Sequence, residues 1–214
     1  MPITVKQPAP RAALRALKQP IFDAVDLGSA VGVPNVTFFQ APIGQQLPIS
    51  GAVKTIRDTN LGQAGQLGVP QEFDLFGFQI SFYYVAGYYL GTVASAAFCT
   101  DFSNVYEAGV FQFFFGLQRP WCQIPLTRIP QGNFAVHGPV AVTSDAVAAT
   151  TVHNGVADGE EFYKFLANDK QIGINSAENF SARIDYPNGN LQMTATGNLS
   201  RLMCFLNGVL YAAL

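Results

Sequence analysis

Apolar and polar positions alternate along residues 73–91, FDLFGFQISFYYVAGYYLG, which hold eight aromatic side chains and a single charge, Asp74. Phe76, Phe78, Ile80, Phe82 and Tyr84 take every second place, with Gly77, Gln79, Ser81 and Tyr83 between them. A period of two sends one set to each face of a strand. The stretch therefore predicts a long β-strand with an aromatic core face. A membrane helix would need around 20 unbroken apolar residues.

The same period recurs further on. VFQFFF sets Phe111, Phe113 and Phe115 against Gln112 and Phe114, and NFSARIDY sets Phe180, Ala182, Ile184 and Tyr186 against Ser181, Arg183 and Asp185. Asn188-Gly189 supplies a turn signal. LQMTAT and the almost wholly apolar RLMCFLNGVLYAAL complete the C-terminal strands. PWCQIP, with Pro120 and Pro125, suits an edge position, because proline cannot donate to a ladder. Short β-like runs fall at 35–40 and 52–58, a structured loop at 58–71, and a further strand within 140–151. Residues 91–109 lose the period and read as a long connection with a helical turn. The clearest helix signal is DGEEFYKFLANDK, with Asp158 at the N-cap, Glu160 and Glu161 in the first turn, and Phe162, Phe165 and Leu166 at i, i+3, i+4.

Seven or eight strands with loops of unequal length predict an all-β protein, a sandwich or jelly roll of two antiparallel sheets with one short helix. Residues 1–20 stand apart. They carry Lys6, Arg11, Arg15 and Lys18 and no acid, and Pro2, Pro8, Pro10 and Pro20 punctuate them. RAALRALK between prolines predicts two helical turns on a mobile arm. The expected division is an N-terminal arm and extended segment over 1–50, followed by one β-domain over 51–214.

Composition changes the picture in one respect. Charged residues are 12% of the 214, about half the usual share near 25%, while hydrophobic residues reach 49% and the mean hydropathy is positive. A monomer normally covers its surface with Lys, Glu, Arg and Asp. A chain that uses neutral polar residues instead is expected to face other protein subunits. Its net charge of −2 sets up no field that would recruit nucleic acid to the whole molecule.

Candidate chemistry is sparse. Cys99, Cys122 and Cys204 form no paired spacing and read as buried free thiols. The N-terminus has no continuous apolar segment of a secretion signal, so the three Asn-X-Ser/Thr sequons, at Asn35, Asn179 and Asn198, read as chance. There is no GxSxG, P-loop, GxGxxG or HExxH. His137 and His153 sit in loop-like sequence and lack the clustering a cupin metal site needs; Asp158 and Glu160 beside His153 make only a chance cation site. Asp101 and Glu107 could be posed as an acid/base pair, but nothing in the pattern unites them. No catalytic residue, cofactor or metal is expected.

Three segments together, IRDTNLGQAGQLGVPQEFDLFGFQISF, FFFGLQRPWCQIPLTRIPQG and ENFSARIDYPNG, resemble in layout the jelly-roll major capsid proteins of small tailless icosahedral bacteriophages. The likeness runs over residues 50–214 by order of elements. It implies a single jelly-roll coat subunit of a virion, made in the host cytoplasm and assembling with copies of itself into trimeric or pseudo-hexameric capsomers and with other virion proteins. It further implies that Lys6, Arg11, Arg15 and Lys18 on the arm contact the viral genome or an internal membrane. The family often carries two jelly rolls in one chain, and this chain has the length of one. The alternatives are a receptor- or carbohydrate-binding β-sandwich of a spike or fibre, and a cupin-like enzyme.

Overall fold

A computed structural model describes residues 14–27, 32–47, 49–84, 96–116, 120–129, 163–164, 171–176, 178–191, 193 and 200–213. They form a mostly β structure of two antiparallel sheets and one helix, an all-β sandwich.

The first sheet is built around two long central strands, β4 (Glu72–Tyr84) and β10 (Ser200–Ala213). β1 (Leu14–Leu17) and β2 (Ile21–Asp26) flank β10 on its other side, one at each end. β7 (Tyr163–Lys164) and β8 (Ile172–Asn175) flank β4. The second sheet runs β3 (Asn35–Phe38), β9 (Phe180–Asp185), β5 (Val110–Phe115), β6 (Pro120–Pro125). The proline-bounded β6 is an edge strand, as its missing N–H groups require.

Inward-facing residues of the two sheets make one core. Phe78, Ile80 and Phe82 of β4 and Leu202, Cys204 and Leu206 of β10 meet Phe111 and Phe113 of β5 and Ala182 and Ile184 of β9, all fully buried. The Phe78 ring lies 4.9 and 5.0 Å from those of Phe111 and Phe113. Phe180 is also buried, and Phe115, at the end of β5, is half-buried against the same cluster.

Phe76 departs from the expected face. The β4/β10 register passes from Gly77↔Asn207 to Leu75↔Gly208, so Phe76 is an extra residue in a bulge. The bulge reverses the phase of β4. Below it Phe73 and Leu75 are the residues that join the core cluster, and Phe76 is half-buried outside it. Gly208 permits this geometry: a Cβ there would lie 2.0 Å from the Asp74 carbonyl oxygen and 2.6 Å from the Phe73 ring.

Four further expectations are corrected. The helix of the described residues is α1 (Ala96–Ala108), in the stretch expected to be a connection with one helical turn. Its buried face is Phe102, Val105 and Tyr106, at i, i+3, i+4. The Tyr106 hydroxyl donates to the Ile80 carbonyl at 2.9 Å, and burial pushes its pKa well above the ordinary value. In the segment expected to be helical, Tyr163–Lys164 instead pairs with Gly77 and Phe78 of β4, and 158–162 and 165–170 lie outside the described residues. Leu14–Leu17, expected as a helical part of the arm, is a strand paired to Leu210–Ala213. The division at residue 50 also fails. Ile21 and Val25 of β2 and Val36 and Phe38 of β3 are core residues, so both strands belong to the sandwich.

Candidate functional site: the braced edge of the sandwich

β2 and β3 are the outer strands of their sheets and contact each other, leaving one side of the sandwich to be closed. The connection from β3 to β4, residues 39–71, closes it. Leu47, Leu61 and Leu67 point in and are buried. Backbone bonds Gly44 N–H to Lys54 C=O (2.9 Å), Lys54 N–H to Gln45 C=O (2.8 Å) and Leu47 N–H to Ala52 C=O (2.8 Å) fold 44–54 into a small hairpin. Asn60 fastens the far end: its Oδ1 accepts from Phe22 N–H (3.0 Å), and its Nδ2 donates to Pro20 C=O (2.8 Å).

Buried charge braces this connection at two points. On the inner face, Lys54 Nζ lies 2.6 Å from Asp23 Oδ1, with the side chains 1% and 0% exposed. Asp23 Oδ2 accepts from Phe39 N–H at 2.6 Å. Asp23 faces inward because it shares its register position with Cys204. Burial pushes its carboxyl up from the ordinary value, against the pull of Lys54, Phe39 and Thr59. On the outer face, Asp26 and Tyr83 lie directly opposite Arg201 on the two neighbouring strands. Arg201 Nε donates to Asp26 Oδ1 at 2.8 Å and Nη1 to Asp58 Oδ1 at 2.5 Å. Asp58 Oδ2 accepts from Thr55 N–H and hydroxyl, both at 2.9 Å, and the Ser50 hydroxyl donates to Asp26 Oδ2. Burial works against the Arg201 guanidinium, but Asp26 and Asp58 outweigh it and its pKa is raised. Desolvation likewise raises the Tyr83 phenol.

The outward side of the connection carries large aliphatic side chains among neutral polar ones. Ile43, Ile49, Val53, Ile56 and Val69 are the large exposed hydrophobics of the described residues, and all five lie in this one segment, Ile56 and Val69 at 79% and 84% exposure. Internal hydrogen bonds and two buried ion clusters therefore hold a hydrophobic display against solvent.

A second feature is a cleft of ≈ 440 Å³ between the connection and the β5/β9 end, lined by Gln40, Gly65, Phe114, Asn179 and Ser181 among others. Phe114 faces outward from β5, with the Arg183 guanidinium 5.3 Å from its ring centre. Gln66 Nε2 donates to Asn179 Oδ1 at 2.6 Å across the cleft's rim.

Of the basic residues expected on the arm, Arg15 and Lys18 are exposed, and Lys6 and Arg11 lie outside the described residues. His137, His153, Asp158 and Glu160 also lie outside them. Asp101 and Glu107 are not brought together: Asp101 is buried on α1, while Glu107 is exposed and accepts from Ser103. Among the described residues no three His, Cys, Asp or Glu side chains are placed to hold a metal ion. Cys204 is buried and Cys122 half-buried, both free, and burial pushes the Cys122 thiol up to about 11. No helix among the described residues is long and apolar enough to cross a membrane. The ion clusters were missed in the sequence. Their signal was isolated charge inside apolar strands, Asp23 and Asp26 in IFDAVDL and Arg201 in SRLMCFL.

No protein-family model, curated protein or solved structure matches the chain.

Proposed function

We propose that this chain is a coat subunit of an icosahedral viral shell, a single jelly roll that works by assembling with copies of itself. The observation that carries the reading is the nesting of its strand pairs. Taking β2, β3, β4, β5, β6, β8, β9 and β10 in order, the first pairs with the last (β2·β10), then β3·β9, β4·β8 and β5·β6, every pair antiparallel. An antiparallel ribbon rolled into two sheets has this pairing, and such double Greek keys are the building unit of many viral shells.

Jelly rolls also serve as lectins and cupins, so the fold alone does not choose. Two further observations favour assembly. The chain is 12% charged, and the large exposed aliphatic side chains of the described residues are gathered on one braced connection, as expected of a surface that meets other subunits. In this reading the exposed Arg15 and Lys18, with Lys6 and Arg11, face the genome or an internal membrane. The chain performs no catalysis and needs no cofactor. Negative-stain electron microscopy of the purified chain tests the proposal: capsomers or closed shells are expected, and a field of dispersed 23.0 kDa monomers would count against it.

The cleft beside Phe114 favours a second reading, a receptor- or carbohydrate-binding module, because an outward aromatic ring flanked by Gln40, Asn179 and Ser181 offers stacking and amide hydrogen bonds together. Saccharide binding on a glycan array, lost in Phe114→Ala, would move this reading to the front.

A further inference from the structure

The Asp23–Lys54 pair has the arrangement of two reactants. Nitrogen and carboxyl oxygen are 2.6 Å apart in a site sealed from water, at 1% and 0% exposure. The second carboxyl oxygen is held by Phe39 N–H at 2.6 Å. Phe39 takes the left-handed backbone region, φ 66°, where a non-glycine residue is uncommon, and such strain gathers at functional positions. The Thr59 hydroxyl, beside the pair, donates to the Phe22 carbonyl at 3.0 Å. The Lys54 amine donates to Asp23 Oδ1 at 2.6 Å.

We propose that Asp23 and Lys54 condense into an intramolecular isopeptide, an amide between Asp23 Cγ and Lys54 Nζ. In a dry site, passing a proton from ammonium to carboxylate removes two buried charges and leaves a carboxylic acid beside an amine. Burial pushes the Asp23 carboxyl upward, the direction this transfer requires. The nitrogen lone pair then attacks Cγ and the N–C bond forms. Oδ2 takes the developing negative charge, where Phe39 N–H stabilises it as an oxyanion-hole donor does. The bond from Cγ to the protonated Oδ1 breaks, and that hydroxyl leaves with a proton from the nitrogen as water. No oxidant or reductant is involved. The product replaces a buried ion pair with a neutral amide and fastens the 39–71 connection covalently to β2. This inference does not depend on the coat-subunit reading.

Denaturing intact-mass spectrometry of the full chain is the test. The chain is expected to be one water lighter than its sequence, trypsin should fail to cut after Lys54, and chymotrypsin should leave the Asp23 and Lys54 peptides joined. Lys54→Arg and Asp23→Ala should each show the full mass of their own sequences. An unmodified mass in the parent protein overturns the proposal. So does a water loss that maps elsewhere, such as a cyclised Asp158-Gly159, or one that persists in Lys54→Arg.

Discussion

Arg201→Met removes a cation that bridges Asp26 and Asp58. The guanidinium holds Asp26 at 2.8 Å and Asp58 at 2.5 Å. Their side chains are 0% and 7% exposed, and that of Arg201 is 10% exposed. Breaking a buried pair by deleting one partner destabilises by about 3–5 kcal/mol, because the remaining charge is left without compensation. Ser50 and Thr55 continue to hydrogen-bond the two carboxylates, and solvent reaches the edge of the site, which places the loss near the lower end, about 3 kcal/mol. That is a large fraction of a typical stability of roughly 5–15 kcal/mol. Urea unfolding followed by the fluorescence of Trp121 measures the loss. A loss below about 1 kcal/mol, the scale of a surface pair, would refute this account of the brace.

Other substitutions test other parts of the structure. Phe78→Ala empties the space between Phe111 and Phe113 and should cost about 3–5 kcal/mol, measured by denaturant midpoint. Gly208→Ala should be markedly destabilising, since its Cβ meets the Asp74 backbone at 2.0 Å; an unchanged melting temperature would contradict the bulge. In Lys54→Met, Asp23 is buried without its cation. A folded pKa raised above the ordinary 3.8 gives stability that is present at low pH and lost as pH rises through the raised value. Lys54→Met should therefore fall in stability relative to Lys54→Met/Asp23→Asn as pH rises from 4 to 7.

Much of the sandwich was legible because a two-sided strand writes its faces in alternate residues. Phe111 and Phe113, and Phe180, Ala182 and Ile184, could be assigned inward on that ground alone, and all are buried. The errors arose where tertiary contacts overrule local pattern. Leu14–Leu17 has helical spacing, yet it pairs with the apolar end of β10, whose backbone groups need a partner. EFYKFL shows the i, i+3, i+4 pattern, but Tyr163 and Lys164 lie against β4. The same pattern in Phe102, Val105 and Tyr106 was overlooked among the Ala, Ser and Thr of α1. The bulge at Phe76 is marked only by glycines, Gly77 beside it and Gly208 more than a hundred residues away on the partner. The braced edge was hidden for a related reason. Asp23, Lys54, Asp58 and Arg201 are scattered in sequence, and only the closing of the β3–β4 connection over β2 unites them.

Sedimentation velocity of the purified chain at micromolar concentration, across a range of salt, is the most direct test of the coat-subunit reading. Association through apolar and neutral surface needs no charge pairs, so fast-sedimenting assemblies should form and should persist at salt that screens electrostatics. A single 23.0 kDa species at every concentration and salt would contradict it.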